Sequence, residues 1–243
     1  MNPSLTFATA GRVLTQLRRD HRTLGMIIVI PCLLITLIKY VVGDDTFERI
    51  GLPLVGIFPL VIMFLITSIA MLRERSSGTL ERLMTLPSSK LDILLGYGLA
   101  FAAVATVQSL VVSSVAIGFL GLDVTGAIPT AIALAVINAV LGMSLGLLAS
   151  AFAASEFQAV QFMPAFLLPQ IVLCGLFASR DEMSQVLDVA AGALPMTYAF
   201  DALHHVSTSS SWTGELFVDI AVVLGSTIAA LALAAATLRR RTA

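Results

Sequence analysis

The sequence predicts an all-α integral membrane protein with six transmembrane helices, and three observations predict it. Hydrophobic residues make up 58% of the 243-residue chain and charged residues only 12%, against about a quarter charged in a soluble domain. Apolar runs of about 20 residues, the length that crosses a bilayer as a helix, follow one another along the chain. Basic residues crowd into alternate connections, as the positive-inside rule requires of short loops. Mean hydropathy is +0.96. The runs lack the two-residue alternation of barrel strands, and helices are the other structure that closes its own backbone hydrogen bonds in lipid.

The whole chain, 1–243, reads as one transmembrane domain. Residues 3–21 come first. Phe7, Ala10, Val13, Leu14 and Leu17 fall on one helical stripe, with Arg12, Arg18 and Arg19 mostly off it. This predicts a helix lying in the inner interface, its basic side toward anionic head groups. The spans follow at 24–42, 52–72, 93–119, 127–149, 157–178 and 216–238. The third exceeds one bilayer thickness and is expected to tilt. The first run is too long for a signal-peptide h-region and has no small-residue cleavage site behind it, so no cleavable signal is expected.

Orientation follows from charge. With the N-terminus inside, the cytoplasmic side holds Arg12, Arg18, Arg19, Arg22, Arg73, Arg75, Arg82, Lys90, Arg239, Arg240 and Arg241, which is 11 of the 14 basic residues. Arg49 and Arg180 fall outside, and Lys39 lies within the first span. An odd number of spans would put a basic terminus outside, so both termini are expected in the cytoplasm.

Two connections carry more than charge. The internal loop 73–90 reads RERSSGTLERLMTLPSSK. Leu80, Leu83 and Met84 share a helical face, and Glu81 and Arg82 lie away from it. Ser76 or Ser77 caps the start and Pro87 ends it. So short a helix must dock, either on the chain's own helix ends or on a cytoplasmic partner. On the outer side, 180–205 forms a re-entrant or interfacial hairpin. Its apolar stretch 186–200 is too short to span and is interrupted by Asp188, Gly192 and Pro195. The STSSS run at 207–211 reads as a flexible turn.

Chemistry is sparse. No G-x-x-x-x-G-K-[ST] loop is present, so this chain cannot cradle ATP phosphates in that manner. His204 and His205 face opposite ways on a helix with no third ligand beside them, and no metal site is expected. Cys32 and Cys174 read as small buried residues. Gln108, Asn138, Gln158, Gln161 and Gln170 read as helix-to-helix glue, and Gly142–Gly146 as a close-approach G-x-x-x-G match. Asp92 and Asp219, near span ends, are expected to be wet. Lys39 either snorkels to the outer interface or lines a substrate path paired with a carboxylate. No chain of buried acids crosses the membrane, which argues against proton-driven transport.

Three stretches carry a family resemblance. They are Arg73-Glu74-Arg75 with Gly78-Thr79-Leu80-Glu81 and Leu86-Pro87; Ser155–Gln161 leading to Pro164, Pro169 and Cys174-Gly175; and Leu194-Pro195-Met196-Thr197-Tyr198-Ala199-Phe200-Asp201-Ala202-Leu203. In order and on the derived sides, they resemble the ABC-2 type transporter permeases, including daunorubicin-resistance-type exporters, over essentially the whole chain. Two features depart from that pattern: no proline follows Gly175 within 176–180, and His204 stands where arginine is frequent.

The resemblance implies a membrane-spanning subunit of an ATP-driven exporter, in a bacterial inner membrane. It implies pairing with a second copy or a paralogous permease, over separate ABC ATP-binding subunits. No cofactor is expected on this chain, since ATP and Mg belong to the ATPase, and no nucleic-acid partner is expected. The loop helix would be a coupling helix, with Leu80, Leu83 and Met84 buried in the ATPase, Arg75, Glu81 and Arg82 at the rim, and Gly78 and Thr79 at its start. Ser155 and Glu156 form a second internal contact. Lys39, Pro169, Pro195, Tyr198 and Asp201 are candidates for the substrate path or outer gate. Abundant Ala, Leu and Val favour a hydrophobic or amphipathic cargo, such as a drug or lipid. The alternative is a secondary transporter or channel that needs no ATPase. A membrane-embedded enzyme would need a clustered acid, base or metal set, and none is apparent.

Overall fold

The computed structural model describes residues 3–79 and 90–237. Every regular element among them is helical. In order they are α1 (Pro3–Arg19), α2 (His21–Val42), α3 (Asp44–Ser76), α4 (Lys90–Ser114) with a π-helical turn at Val115–Phe119, α5 (Ile128–Ala149), α6 (Glu156–Leu173), a 3-10 turn at Arg180–Glu182, α7 (Gln185–Gly192), α8 (Pro195–Thr208) and α9 (Gly214–Thr237).

Local chemistry sets the boundaries. Asp20 separates α1 from α2 by capping the latter, accepting from the Thr23 amide at 3.1 Å and the Thr23 hydroxyl at 2.6 Å. These bonds hold the Asp20 carboxyl below its usual range. α3 is longer than its apolar run. It has 33 residues, or roughly 50 Å at 1.5 Å per residue. The connection expected to carry Arg49 is thus the outer end of α3, where Asp44 and Asp45 in the first turn complement the helix dipole. At the other end Gly78 takes φ 71° directly after the cap. α6 stops at Leu173 in the same way: Cys174 caps it and Gly175 takes φ 101°, a left-handed conformation suited to glycine. The expected fifth span therefore loses its last residues, 174–178, to this turn.

α3 and α5 form the centre. In their most apolar windows 61% and 67% of residues are buried, against 17% in α2 and 22% in α9, whose outer faces are left for lipid. Gly142 and Gly146 let the two backbones meet. A Cβ on Gly142 would run into the Leu60 carbonyl, and one on Gly146 into Phe64 O and the Thr67 hydroxyl. Two of the five amides act as the glue foreseen, while Gln170 bonds within its own helix, to Phe166 O at 3.2 Å. Gln108 Nε2 donates to Ile27 O at 2.9 Å, tying α4 to α2, and Asn138 Nδ2 donates to Ala199 O at 3.0 Å, tying α5 to α8. α1 covers the inner end of α4, where Gly96 lies against Thr6 and Thr9. Asp92, one turn earlier on that face, is only 2% exposed rather than wet.

α2, α3, α4 with its π turn, α5 and α9 are each long and apolar enough to cross a membrane, and α7–α8, bent by 87°, adds a sixth if read as one broken span. α6, the expected fifth span, has 18 residues, about 27 Å against a hydrocarbon core of about 30 Å. The fold is an all-helical multi-pass membrane protein, consistent with six spans.

Candidate functional site

At the inner end, α3 grips the α5–α6 connection at both of its ends. Arg73 donates from Nε to Glu156 Oε1 at 2.7 Å and from Nη2 to Oε2 at 2.9 Å, a bidentate fork on one carboxylate. Arg75 Nη1 donates to Ser150 O, the cap of α5, at 3.3 Å. Between these anchors Ser155 caps α6 by accepting from the Gln158 amide at 3.3 Å, and the Gln158 side chain accepts from Ala154 N at 2.8 Å. The two internal segments nominated separately from the sequence are thus one assembly. Gly78 and Thr79 lead out of it, with the Thr79 hydroxyl 2.9 Å from that of Ser77. Leu80, Glu81, Arg82, Leu83 and Met84, the proposed contact face and rim, lie outside the described residues.

A second polar group ties α1 to the same end. Arg12 Nη1 is 3.5 Å from Glu74 Oε1, Nη2 donates to the Tyr97 hydroxyl, and the guanidinium lies over the Tyr97 ring at 5.6 Å. Glu74 is 8% exposed and Tyr97 1%. Sequence reading counted Arg12 as a topogenic charge and passed over Tyr97. The available signal was the R-E-R triplet: successive helical positions diverge by about 100°, so Glu74 turns inward while Arg73 turns to α6 and Arg75 to the cap of α5.

On the outer side Arg180 organises the re-entrant segment. It donates to Asp188 Oδ1 from Nε at 2.9 Å and Nη2 at 2.7 Å, and its Nη1 lies 3.7 Å from Asp201 Oδ2. Pro195 opens α8. Tyr198 OH donates to Gly192 O and Thr197 Oγ1 to Ala191 O, each at 2.7 Å, closing the bend between α7 and α8. Arg49, Arg180, Asp201 and His204 line a cavity of about 380 Å³ here. The other two candidates are elsewhere. Lys39 donates to Leu120 O, sits 3.3 Å from Asp44 and lies over the Phe47 ring at 5.3 Å, so it anchors the α2–α3 turn. Pro169 stands exposed on α6.

Fold and site together define a polytopic helical membrane protein whose polar machinery sits at its two ends, around a close-packed central helix pair. The chain belongs to the ABC-2 type transporter family, whose model matches residues 4–208. It is similar to the probable multidrug ABC transporter permease YbhS of Escherichia coli strain K12, 23% identical over 188 residues, covering 77% of this chain and 50% of that protein. It is also similar to the probable multidrug ABC transporter permease YbhR of the same strain, 26% identical over 54% of this chain and 35% of that protein. ABC transporter G family member 20 of Dictyostelium discoideum is 27% identical over 58% of this chain and 19% of its own length. The chain thus spans half or less of the length of these relatives.

Proposed function

We propose that this chain is the membrane-spanning permease subunit of an ABC exporter. A separate ATPase drives it, and it moves a hydrophobic or amphipathic substrate across a bacterial plasma membrane. It pairs with a second copy or a paralogous permease, its termini are cytoplasmic, and ATP and Mg are handled by the partner. The observation that carries this reading is the inner assembly: Arg73 and Arg75 lock the start of the 73–90 loop to both ends of the α5–α6 connection. A displacement imposed on that loop by another protein would therefore move three helices together. A permease without a nucleotide site needs such an element, because a partner's closure acts only through contacts that differ between its states. The bacterial relatives are named as probable multidrug permeases, and the abundance of Ala, Leu and Val in the spans favours a hydrophobic or amphipathic cargo.

The test is co-expression with a candidate ABC ATPase from the same genome, followed by reconstitution into vesicles. The pair is expected to co-purify and to transport a hydrophobic dye only with hydrolysable ATP. Glu81→Ala with Leu83→Ala is expected to weaken co-purification while membrane insertion is unchanged. Transport at the full rate with a hydrolysis-dead ATPase would refute the proposal.

A further inference from the structure

α2, α6 and α9 each turn one face outward, and the face of α6 differs from the other two. On α2 every exposed residue from 25 to 37, and on α9 every exposed residue from 217 to 236, is glycine or apolar, as contact with lipid tails requires. On α6, Phe157, Gln161, Pro164, Leu168 and Val172 are exposed, at spacings of four, three, four and four that keep them on one stripe. Gln161 puts a primary amide on that stripe. Glu156, in the fork with Arg73, marks the inner end of the helix. Gln161 lies roughly 8 Å further along and Ala165 roughly 14 Å, inside a hydrocarbon layer about 30 Å thick.

The backbone of the same helix is short of donors. A proline inside a helix removes the bond to the carbonyl four residues earlier, so Pro164 frees Val160 O and Pro169 frees Ala165 O. Val160 and Ala165 are both exposed. Among the described residues no side chain donates to either carbonyl; Gln170 and Cys174 donate instead to Phe166 O and Ile171 O. The carbonyls freed on α3 do not face lipid, since Val55 is fully buried and Arg49 stands at the outer cavity. Within the bundle the chain meets the same need with an amide. Pro31 of α2 frees Ile27 O, and Gln108 Nε2 of α4 donates to it at 2.9 Å. Lipid tails carry no donor, so the exposed amide and carbonyls of α6 call for another protein surface at the same depth.

We propose that this face of α6 packs against the same face of a second copy, and that Gln161 of each copy donates to the carbonyl of the partner subunit's Val160. A twofold axis along the membrane normal brings equal depths together. An amide one position from a freed carbonyl then meets that carbonyl across the axis. Ala165, beside Pro164, is small enough for the two backbones to approach. The inference rests on the reading of paired permeases and assigns the surface through which they pair. Pairing through α2 or α9 would leave that reading intact and sink this one.

The test is disulfide trapping of the full chain in native membranes, on a background of Cys32→Ala with Cys174→Ala. Phe157→Cys and Leu168→Cys on α6 are expected to give covalent dimers under mild oxidation. Leu33→Cys on α2 and Ile228→Cys on α9 are expected to stay monomeric. Dilution of the purified chain in detergent supplies a second readout. There Gln161→Ala is expected to weaken the dimer about eightfold, the loss of two interhelical hydrogen bonds. Should the cysteine-free background fail to fold, Gln161→Ala in the natural sequence decides alone. Absence of trapping at both α6 positions, trapping at the α2 or α9 position instead, or a Gln161→Ala dimer as tight as wild type would each overturn the proposal.

Discussion

The Arg73–Glu156 fork is a test of coupling rather than of folding, because its energy is too small to hold the protein together. The two side chains are 61% and 51% exposed. At such exposure an ion pair contributes about 0.2–1 kcal/mol, with bidentate geometry favouring the upper part of that range. Replacing either residue by alanine should leave expression and thermal stability nearly unchanged. If the fork transmits motion from the 73–90 loop to α6, about 1 kcal/mol of lost linkage corresponds to about a fivefold change in the population of the linked state. The assay is substrate-stimulated ATP hydrolysis by the reconstituted permease–ATPase pair. Arg73→Ala and Glu156→Ala should each reduce stimulation by up to about fivefold, equally and non-additively.

Arg73→Glu should reduce it further, by setting two carboxylates together at the start of α6. Combining Arg73→Glu with Glu156→Arg should recover part of the loss. Recovery should be incomplete, because a cation at a helix N-terminus costs about 0.3–1 kcal/mol. Stimulation in the swapped protein no better than in Arg73→Glu alone would refute the linkage, as would additive losses in the two alanine variants.

Two further outcomes follow from the packing. Gly142→Ala should lower thermal stability by about 1–3 kcal/mol, the range for overpacking a close-packed core, because its Cβ meets the Leu60 backbone rather than a side chain that could turn away; a melting profile in detergent unchanged from wild type would show that α3 and α5 are not in this contact. Arg180→Ala removes the cation shared by Asp188 and Asp201 and should raise amide hydrogen exchange in 185–208 while leaving α5 protected; unchanged exchange would show that the bend is held by Tyr198 and Thr197 alone.

How much of this was legible in the sequence depended on the range of the interaction. The spans were legible because lipid imposes apolarity residue by residue. The bend before α8 was legible because Pro195 fixes a helix start and Gly192 weakens the preceding helix. The outer extension of α3 was not, since Asp44, Asp45, Glu48 and Arg49 end the apolar run while the helix continues through them. Hydropathy reports the solvent around a helix and not its ends. The grip of Arg73 and Arg75 on residues about 75–83 positions away was also hidden. A charge count treats each arginine as a topogenic mark and cannot say which carbonyl or carboxylate it will meet. Asp92 misled for a related reason: its place near a span end was visible, but the covering of that end by α1 was not.

α3 makes the two ends of the molecule mechanically one. Arg49, at the outer cavity, and Arg73, at the inner fork, belong to a single uninterrupted helix, separated by 24 positions, or roughly 36 Å. Its inner half is pinned to α5 through Gly142, Gly146 and Thr67, whose hydroxyl lies 3.1 Å from Met143 O. Its outer half carries both of its interior prolines, Pro53 and Pro59, each removing a backbone hydrogen bond and favouring a bend. The outer half is packed no less closely, with residues 51–57 all buried, so what distinguishes it is the backbone bonds missing at the two prolines. Under the proposed function, motion imposed on the 73–90 loop would be delivered with little loss to mid-membrane. It would then be expressed as bending of the outer half at the prolines, against α5 and α8, where Gly56 lies against Asn138 and Leu203.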